Sequence, residues 1–407
     1  MNGQEITLRR SLSLPLVTLY GLGNILGAGI YVLIGKVAGH AGLYAPISFL
    51  MASVLAALTA FSYAELSSRY PLSAGAALYV QQGFGYRELS RLVGLLLILT
   101  GIVSASTIAR GFVGYLEVFI IMPHWLVIIA LVIVLGMLAI WGITESAGTA
   151  AVFTLFEVFG LGLVIYVAAP EFVTLPDRID EFMPSLEAAT WSGLFAGAFL
   201  AFYAYVGFED MVNVAEEVKS PHRNLPLAIL LSLLVATLLY IVVVLAALLV
   251  LDDKQLAQSD APLAAVYAVQ TGNKPVLITI ISLFAVVNGA LIQIITAARV
   301  CYGMSRQGWL PDVLGQVHAR TRTPVYATVV VMAFTVLMAL WLPIETLARM
   351  TSYFLLLIFA LVNAGLIRIK RREAADANTF IIPIFVPWLG FMGCIIFLLA
   401  HTIQILG

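Results

Sequence analysis

The chain has 407 residues, 62% of them hydrophobic and 11% charged, with a mean hydropathy of +1.03 and a formal net charge of −1. Soluble proteins carry about 25% charged residues, so this composition describes a polytopic membrane protein rather than a soluble domain. The near-zero charge argues against a nucleic-acid partner. Cys301 and Cys394 lie in apolar segments and offer neither a disulfide framework nor metal-ligand spacing.

Met1–Arg10 is polar and precedes an apolar run long enough to span, so no cleavable signal peptide is expected. A helix needs about 20 apolar residues to cross the hydrocarbon core. Eleven segments qualify: Leu14–Ala38, Tyr44–Ser67, Ser90–Ile120, Trp125–Ile143, Ala147–Ala169, Trp191–Ala215, Leu225–Leu251, Pro275–Tyr302, Val325–Leu342, Ile344–Ile367 and Phe380–Leu406. Spans nine and ten meet at Pro343 with almost no loop. With the N-terminus in the cytoplasm, 15 of the 21 basic residues fall on the inner side, Arg9, Arg69, Lys219 and Arg368–Arg372 among them. Lys36, Arg178, Lys254, Lys274 and Arg349 fall outside, and Arg110 lies within span three. This excess obeys the positive-inside rule. An odd number of spans then puts the C-terminus outside.

Span one contains Gly21, Gly23, Gly27 and Gly29 within nine positions. Glycine costs about 1 kcal/mol against alanine in a helix interior. A broken helix is tolerated in a bilayer only where its backbone lines a cavity or is buried in protein. Tight helix packing of the small-xxx-small kind is the alternative reading. Span six offers a partner, with Gly207 and the acidic pair Glu209–Asp210 in its interior or inner half. Five spans separate the two, so they cross in opposite directions, as in transporters built from inverted repeats. Repeat one would cover about residues 12–169, repeat two about 191–369, and span eleven (about 380–406) would be extra, all within one transmembrane domain.

Such a site has two poles. The outer half of span one starts after the break, so N–H groups from about Gly29 and Ile30 face the cavity and suit a carboxylate. The outer half of span six ends near Tyr203, and its free carbonyls suit an ammonium. The pair fits a free α-amino acid.

The residues then become familiar. GNILGAGIYVLIG, AELSSRYPLSAGAALYV (Ala64–Val80), AFYAYVGFEDMVNVAEEVKSPHRNLPLAI (Ala201–Ile229) and SRQGWLPDVLGQVHARTRTPVYA (Ser305–Ala327) resemble four motifs of the amino acid–polyamine–organocation (APC) transporters. The likeness runs from about Leu12 to about Ile369. It implies an all-α membrane protein of the LeuT-type fold, a 5+5 inverted repeat with discontinuous helices one and six. Spans one, three, six and eight would line the substrate. By this resemblance Gly27, Ala28 and Gly29 match the carboxylate-binding break, Tyr203 an aromatic gate, and Ala204–Gly207 the unwound segment. Tyr205, beside the break, is read as cavity-lining. Glu209 matches an embedded acid that in some relatives helps to sense or transmit protonation. Two features depart from the pattern: eleven spans instead of twelve, and Glu157 where many relatives carry a lysine in span five.

A charge near the bilayer centre costs at least about 2.5 kcal/mol, so an intramembrane acid is a functional candidate by default. Glu157 is read as a proton carrier or sodium ligand, against a neutral acid bonding another helix. Glu209 is read as a coupling group, against support of the broken helix. Glu65 and Arg69 form an ordinary helical pair. Glu117 and Arg110 share a face of span three and can neutralise each other. Asn288 touches substrate or bridges helices.

The expected function is a secondary active amino acid transporter of the cytoplasmic membrane, working by alternating access and coupled to H+, with Na+ as the alternative ion. An amine or polyamine exchanger is the runner-up, and a channel or sensor on the same fold the reading from another class. No HExxH, GxSxG or GxxxxGK[ST] motif is present, so neither an enzyme, a cofactor nor a bound metal is expected. Ala28, Ala204 and the aromatics suggest a neutral, small or apolar substrate side chain.

Overall fold

The computed structural model describes residues 10–73, 75–142 and 147–406, without the side chains of Ala28, Ala147, Ile405 and Leu406. Arg9, Ala74 and the expected end of span four at Ile143 lie outside the described residues. The long helices are α1 (Leu14–Ala41), α2 (Ala45–Arg69), α4 (Arg87–Glu117), α5 (His124–Trp141) and α6 (Ala147–Ala168) in the first half. In the second half they are α8 (Ala188–Ala201), α9 (Pro221–Val250), α12 (Val276–Arg306), α13 (Val325–Trp341), α14 (Ile344–Arg372) and α15 (Phe385–Leu406). Four shorter helices lie in the connections: α3 (Gly75–Phe84), α7 (Leu175–Arg178), α10 (Asp253–Gln258) and α11 (Pro262–Thr271). Length alone hid these from the span count.

Among the described residues nine helices are long and apolar enough to cross a membrane, and Leu14–Gly27 and Val325–Trp341 are shorter apolar helices. The first of the nine, Gly29–Arg69, joins the second half of α1 to α2 because only a 3-10 turn, Gly42–Tyr44, separates them. Only Leu342 and Pro343 separate α13 from α14, as expected of that junction.

Large apolar side chains such as Leu50, Phe156, Tyr166 and Leu234 cover the outside. That is where lipid would take the place of a protein neighbour. Inside, small residues let helices approach closely. A Cβ on Gly101 of α4 would sit 2.9 Å from the Ala297 Cβ of α12. The pairing of elements follows a rule of five: α1 packs on α8, α2 on α9, α4 on α12 and α5 on α13.

Polar networks close both ends of the bundle. At one end the fully buried Glu65 accepts from Arg69 at 2.8 Å, from Lys370 Nζ at 2.7 Å and from the Ile382 N–H at 2.9 Å. The expected helical pair is thus one edge of a knot that also holds α14 and the segment leading into α15. At the other end Glu345 binds both His40 Nε2 (2.5 Å) and Arg349 (2.8 Å), and Arg349 Nη1 lies 3.4 Å from His401 of α15. So α15 runs from the Glu65 end to the His40 end. Arg110 does not neutralise Glu117. Its Nε donates to the Ala339 carbonyl at 2.6 Å, capping the end of α13, while Glu117 binds His124 at 2.6 Å. The last carbonyls of a helix attract a cation.

Candidate functional site: two broken helices around one cavity

Helix α1 leaves helical geometry at Gly27 (φ 6°, ψ −141°). The helix that restarts after it has no preceding turn to take up its first N–H groups. The second break follows α8. The chain tightens into a 3-10 turn over Phe202–Tyr205, is extended at Val206 and turns at Gly207 (φ 125°, ψ −21°). It then resumes as a 3-10 helix over Phe208–Glu217.

The two breaks touch through their backbones. A Cβ on Gly29 would lie 2.5 Å from Ala204 Cα, and one on Gly207 would overlap the Asn24 carbonyl. Only glycine fits at either point, and at Gly207 the positive φ adds a second reason. Tyr240 of α9 bridges the same two segments: its hydroxyl lies 2.7 Å from the Ile25 carbonyl and 2.9 Å from the Ala204 carbonyl, donating to them. Farther out, the Tyr31 hydroxyl donates to the Glu157 carbonyl of α6 at 2.6 Å, and Tyr115 of α4 donates to the Tyr31 carbonyl at 2.6 Å.

A small cavity of about 30 Å³ lies at the junction. From α1 it is lined by Gly23, Asn24, Ile25, Gly27 and Gly29. Ser104 and Ile108 of α4 form the facing wall, and Gly289, Ile292 and Gln293 of α12 another. The second break contributes Tyr203, Val206 and Asp210. The Tyr203 hydroxyl is 3.0 Å from Ser104 Oγ, which fixes the ring across the cavity. Backbone donors, backbone acceptors and one carboxylate therefore converge on one space.

A sequence profile of the family described as "Amino acid permease" matches residues 12–405. The chain belongs to the amino acid permease family, within the APC superfamily. This permease is 27% identical to the branched-chain amino acid permease BcaP of Bacillus subtilis, over 97% of its own length and 89% of that protein's. It is 31% identical to the mitochondrial cationic amino acid transporter 3 of Arabidopsis thaliana, over 89% of its length but 63% of the plant protein's. It is also 29% identical to a methylthioribose transporter of Bacillus subtilis, over 94% and 85% of the two chains. The chain spans most of the length of the two bacterial relatives and under two thirds of the plant transporter's. The family and these relatives are transporters, not enzymes.

The predicted site residues divide. Gly27, Gly29 and Tyr203 line the cavity of the permease, and Ala204 and Gly207 build the contact between the breaks. Ile30 is buried away from the cavity, and Ala28's side chain lies outside the described residues. Tyr205 points the other way: its hydroxyl donates to the Phe49 carbonyl of α2 at 3.1 Å. Glu157 is buried on the α1-facing side of α6 but does not line the cavity. Glu209 accepts the Gly207 N–H at 2.9 Å, the supporting bond weighed for it from the sequence, while its neighbour Asp210 faces the cavity. On α12 the lining residue is Gln293; Asn288 is buried outside the lining. Sequence reasoning missed Tyr240 and Gln293, which sit singly in long apolar helices with no local signal.

Proposed function

We propose that this permease is a secondary active amino acid carrier of the cytoplasmic membrane, working by alternating access around the cavity between the two breaks. The observation that carries this reading is the meeting of two broken segments, α1 at Gly27 and the 202–207 stretch, at one small cavity. A carrier needs a site that either side can reach in turn, and half-helices that end there can move while their outer parts stay packed. The substrate carboxylate would sit on the N–H groups that follow Gly27, and its ammonium on carbonyls of the two breaks. The pairing of α1 with α8, α2 with α9, α4 with α12 and α5 with α13 supports two inverted five-helix repeats and eleven crossings, with α15 as the extra helix. The N-terminus is then inside and the C-terminus outside.

Coupling is assigned to a proton, with Glu157 as its carrier and Glu209 as the group that feels the state of the second break. Glu157 suits this role because α6 is bonded to α1 on both sides of Gly27. Thr154 Oγ1 donates to the Leu19 carbonyl at 3.0 Å before the break, and Tyr31 reaches the Glu157 carbonyl after it.

Uptake of radiolabelled amino acids into proteoliposomes tests the reading. Saturable uptake that unlabelled substrate competes is expected, and linear, uncompeted flux would mean a channel. With Glu157→Gln, uptake should lose most of its dependence on an imposed pH gradient. Retention of the wild-type pH profile and rate would remove Glu157 from the coupling step.

A further inference from the structure

The basic run at the end of α14 divides by what its side chains touch. Lys370 and Arg372 are held by carboxylates: Lys370 by the buried Glu65 at 2.7 Å, and Arg372 by Glu373 at 2.6 Å. Arg368 and Arg371 lie on rings instead. The guanidinium carbon of Arg368 is 5.0 Å from the centre of the Phe84 ring of α3, and that of Arg371 is 5.7 Å from the centre of the Trp388 ring of α15. Both arginines are exposed, and among the described residues neither has a carboxylate partner. Residues three apart on a helix are neighbours on one face, so the two guanidiniums form a single positive surface with an aromatic ring on each flank. A ring face attracts a cation but leaves most of the five N–H donors of a guanidinium to be placed. From Trp388 onward α15 exposes Leu389, Met392, Ile396 and Leu399, three and four apart, as one apolar stripe that runs away from the arginines.

We propose that the permease binds an anionic phospholipid at this corner, its headgroup phosphate on Arg368 and Arg371 and its acyl chains along the α15 stripe. The guanidinium fork matches phosphate oxygens in pairs, which makes arginine the better reader of phosphate by shape. Two adjacent positive charges without an acid favour a headgroup of net negative charge. A zwitterionic headgroup would bring its own ammonium against the same arginines. A free phosphate ion would satisfy the donors and gain nothing from the stripe. Trp388 fits the level where headgroups meet hydrocarbon, and basic pockets between membrane helices suit anionic headgroups. In the orientation proposed above this is the cytoplasmic leaflet. The lipid would span α3, α14 and α15 at once, adding a tie beside the Glu65 network where the extra helix joins the bundle.

Thermal unfolding of the purified, delipidated permease tests it, with phosphatidylglycerol, phosphatidylcholine of the same acyl chains and inorganic phosphate as the three additives. A ligand that binds only the folded state raises stability with its concentration. Phosphatidylglycerol should stabilise at concentrations at least tenfold lower than phosphatidylcholine. In the double variant Arg368→Gln, Arg371→Gln that ratio should fall to near one. Arg320→Gln, which removes an exposed arginine from the loop between α12 and α13, should keep it. Trp388→Leu, which keeps apolar cover but loses the ring, should lower it severalfold. Equal stabilisation by the two lipids in the wild type overturns the proposal and needs no variant to fold. An equal loss in Arg320→Gln also overturns it, because positive charge anywhere would then suffice. So does inorganic phosphate that matches phosphatidylglycerol, which would make the corner an ion site without a lipid. None of these readouts involves transport, so the carrier reading stands or falls separately.

Discussion

The two breaks do the same topological job with opposite local chemistry. At Gly27 an added Cβ would meet nothing within 4 Å; the backbone there opens onto space. At Gly207 an added Cβ would run into Asn24, φ is 125°, and the Glu209 carboxylate holds the N–H. One break is a surface offered to a ligand, and the other is a fixed joint. A pair of interrupted helices therefore need not contribute equally to binding. On the proposed carrier reading the α1 backbone would supply the donors, while the second break supplies rigidity and places one carboxylate, Asp210, at the cavity.

This contrast can be broken by substitution. Gly207→Ala should have the largest effect, since it combines the Asn24 overlap with a backbone conformation that L-residues rarely adopt. It should leave little folded protein in detergent, measured as monodisperse yield. Gly29→Val comes next: the Ala204 backbone blocks its side chain, so folding should survive while substrate binding by thermal shift disappears. Unchanged affinity would remove the break from the site. Glu209→Ala leaves the Gly207 N–H without its carboxylate, a loss of about 1–3 kcal/mol for a buried donor, seen as a lower unfolding temperature that Glu209→Gln largely restores. Tyr240→Phe is the mildest, removing one hydroxyl worth about 0.5–1.5 kcal/mol, with a small drop in stability and unchanged selectivity among substrates.

Much of this was legible in the sequence. Gly27 in span one and Gly207 in span six mark the breaks, while Gly21 and Gly23 serve the close packing weighed as the alternative, against Met211 and Thr154. The choice between Glu209 and Asp210 was not legible. The segment after Gly207 is a 3-10 helix, with three residues per turn instead of 3.6, and its starting direction is set by the φ of Gly207. Both facts rotate the acids relative to a helical-wheel reading. Arg110 was misassigned for another reason. Its acceptor, the end of α13, lies 229 residues away, and a carbonyl leaves no mark in sequence. Glu117, seven residues on, was the visible partner, although a histidine in the next helix holds it.

The start of α1 has one more consequence. Leu12 forms a parallel bridge with Val218; its N–H donates to the Glu217 carbonyl at 3.0 Å, and its own carbonyl accepts from the Lys219 N–H at 2.9 Å. The half of α1 before Gly27 and the segment Phe208–Glu217 are therefore fastened at their far ends, and they touch again where Gly207 meets Asn24. Two fixed points turn a pair of rods into a single bar. Sliding and axial rotation of one against the other are removed, and what is left is a swing of both together about the two breaks. On the proposed carrier reading, a cavity floored by such a bar would open as a trapdoor does, in one stroke.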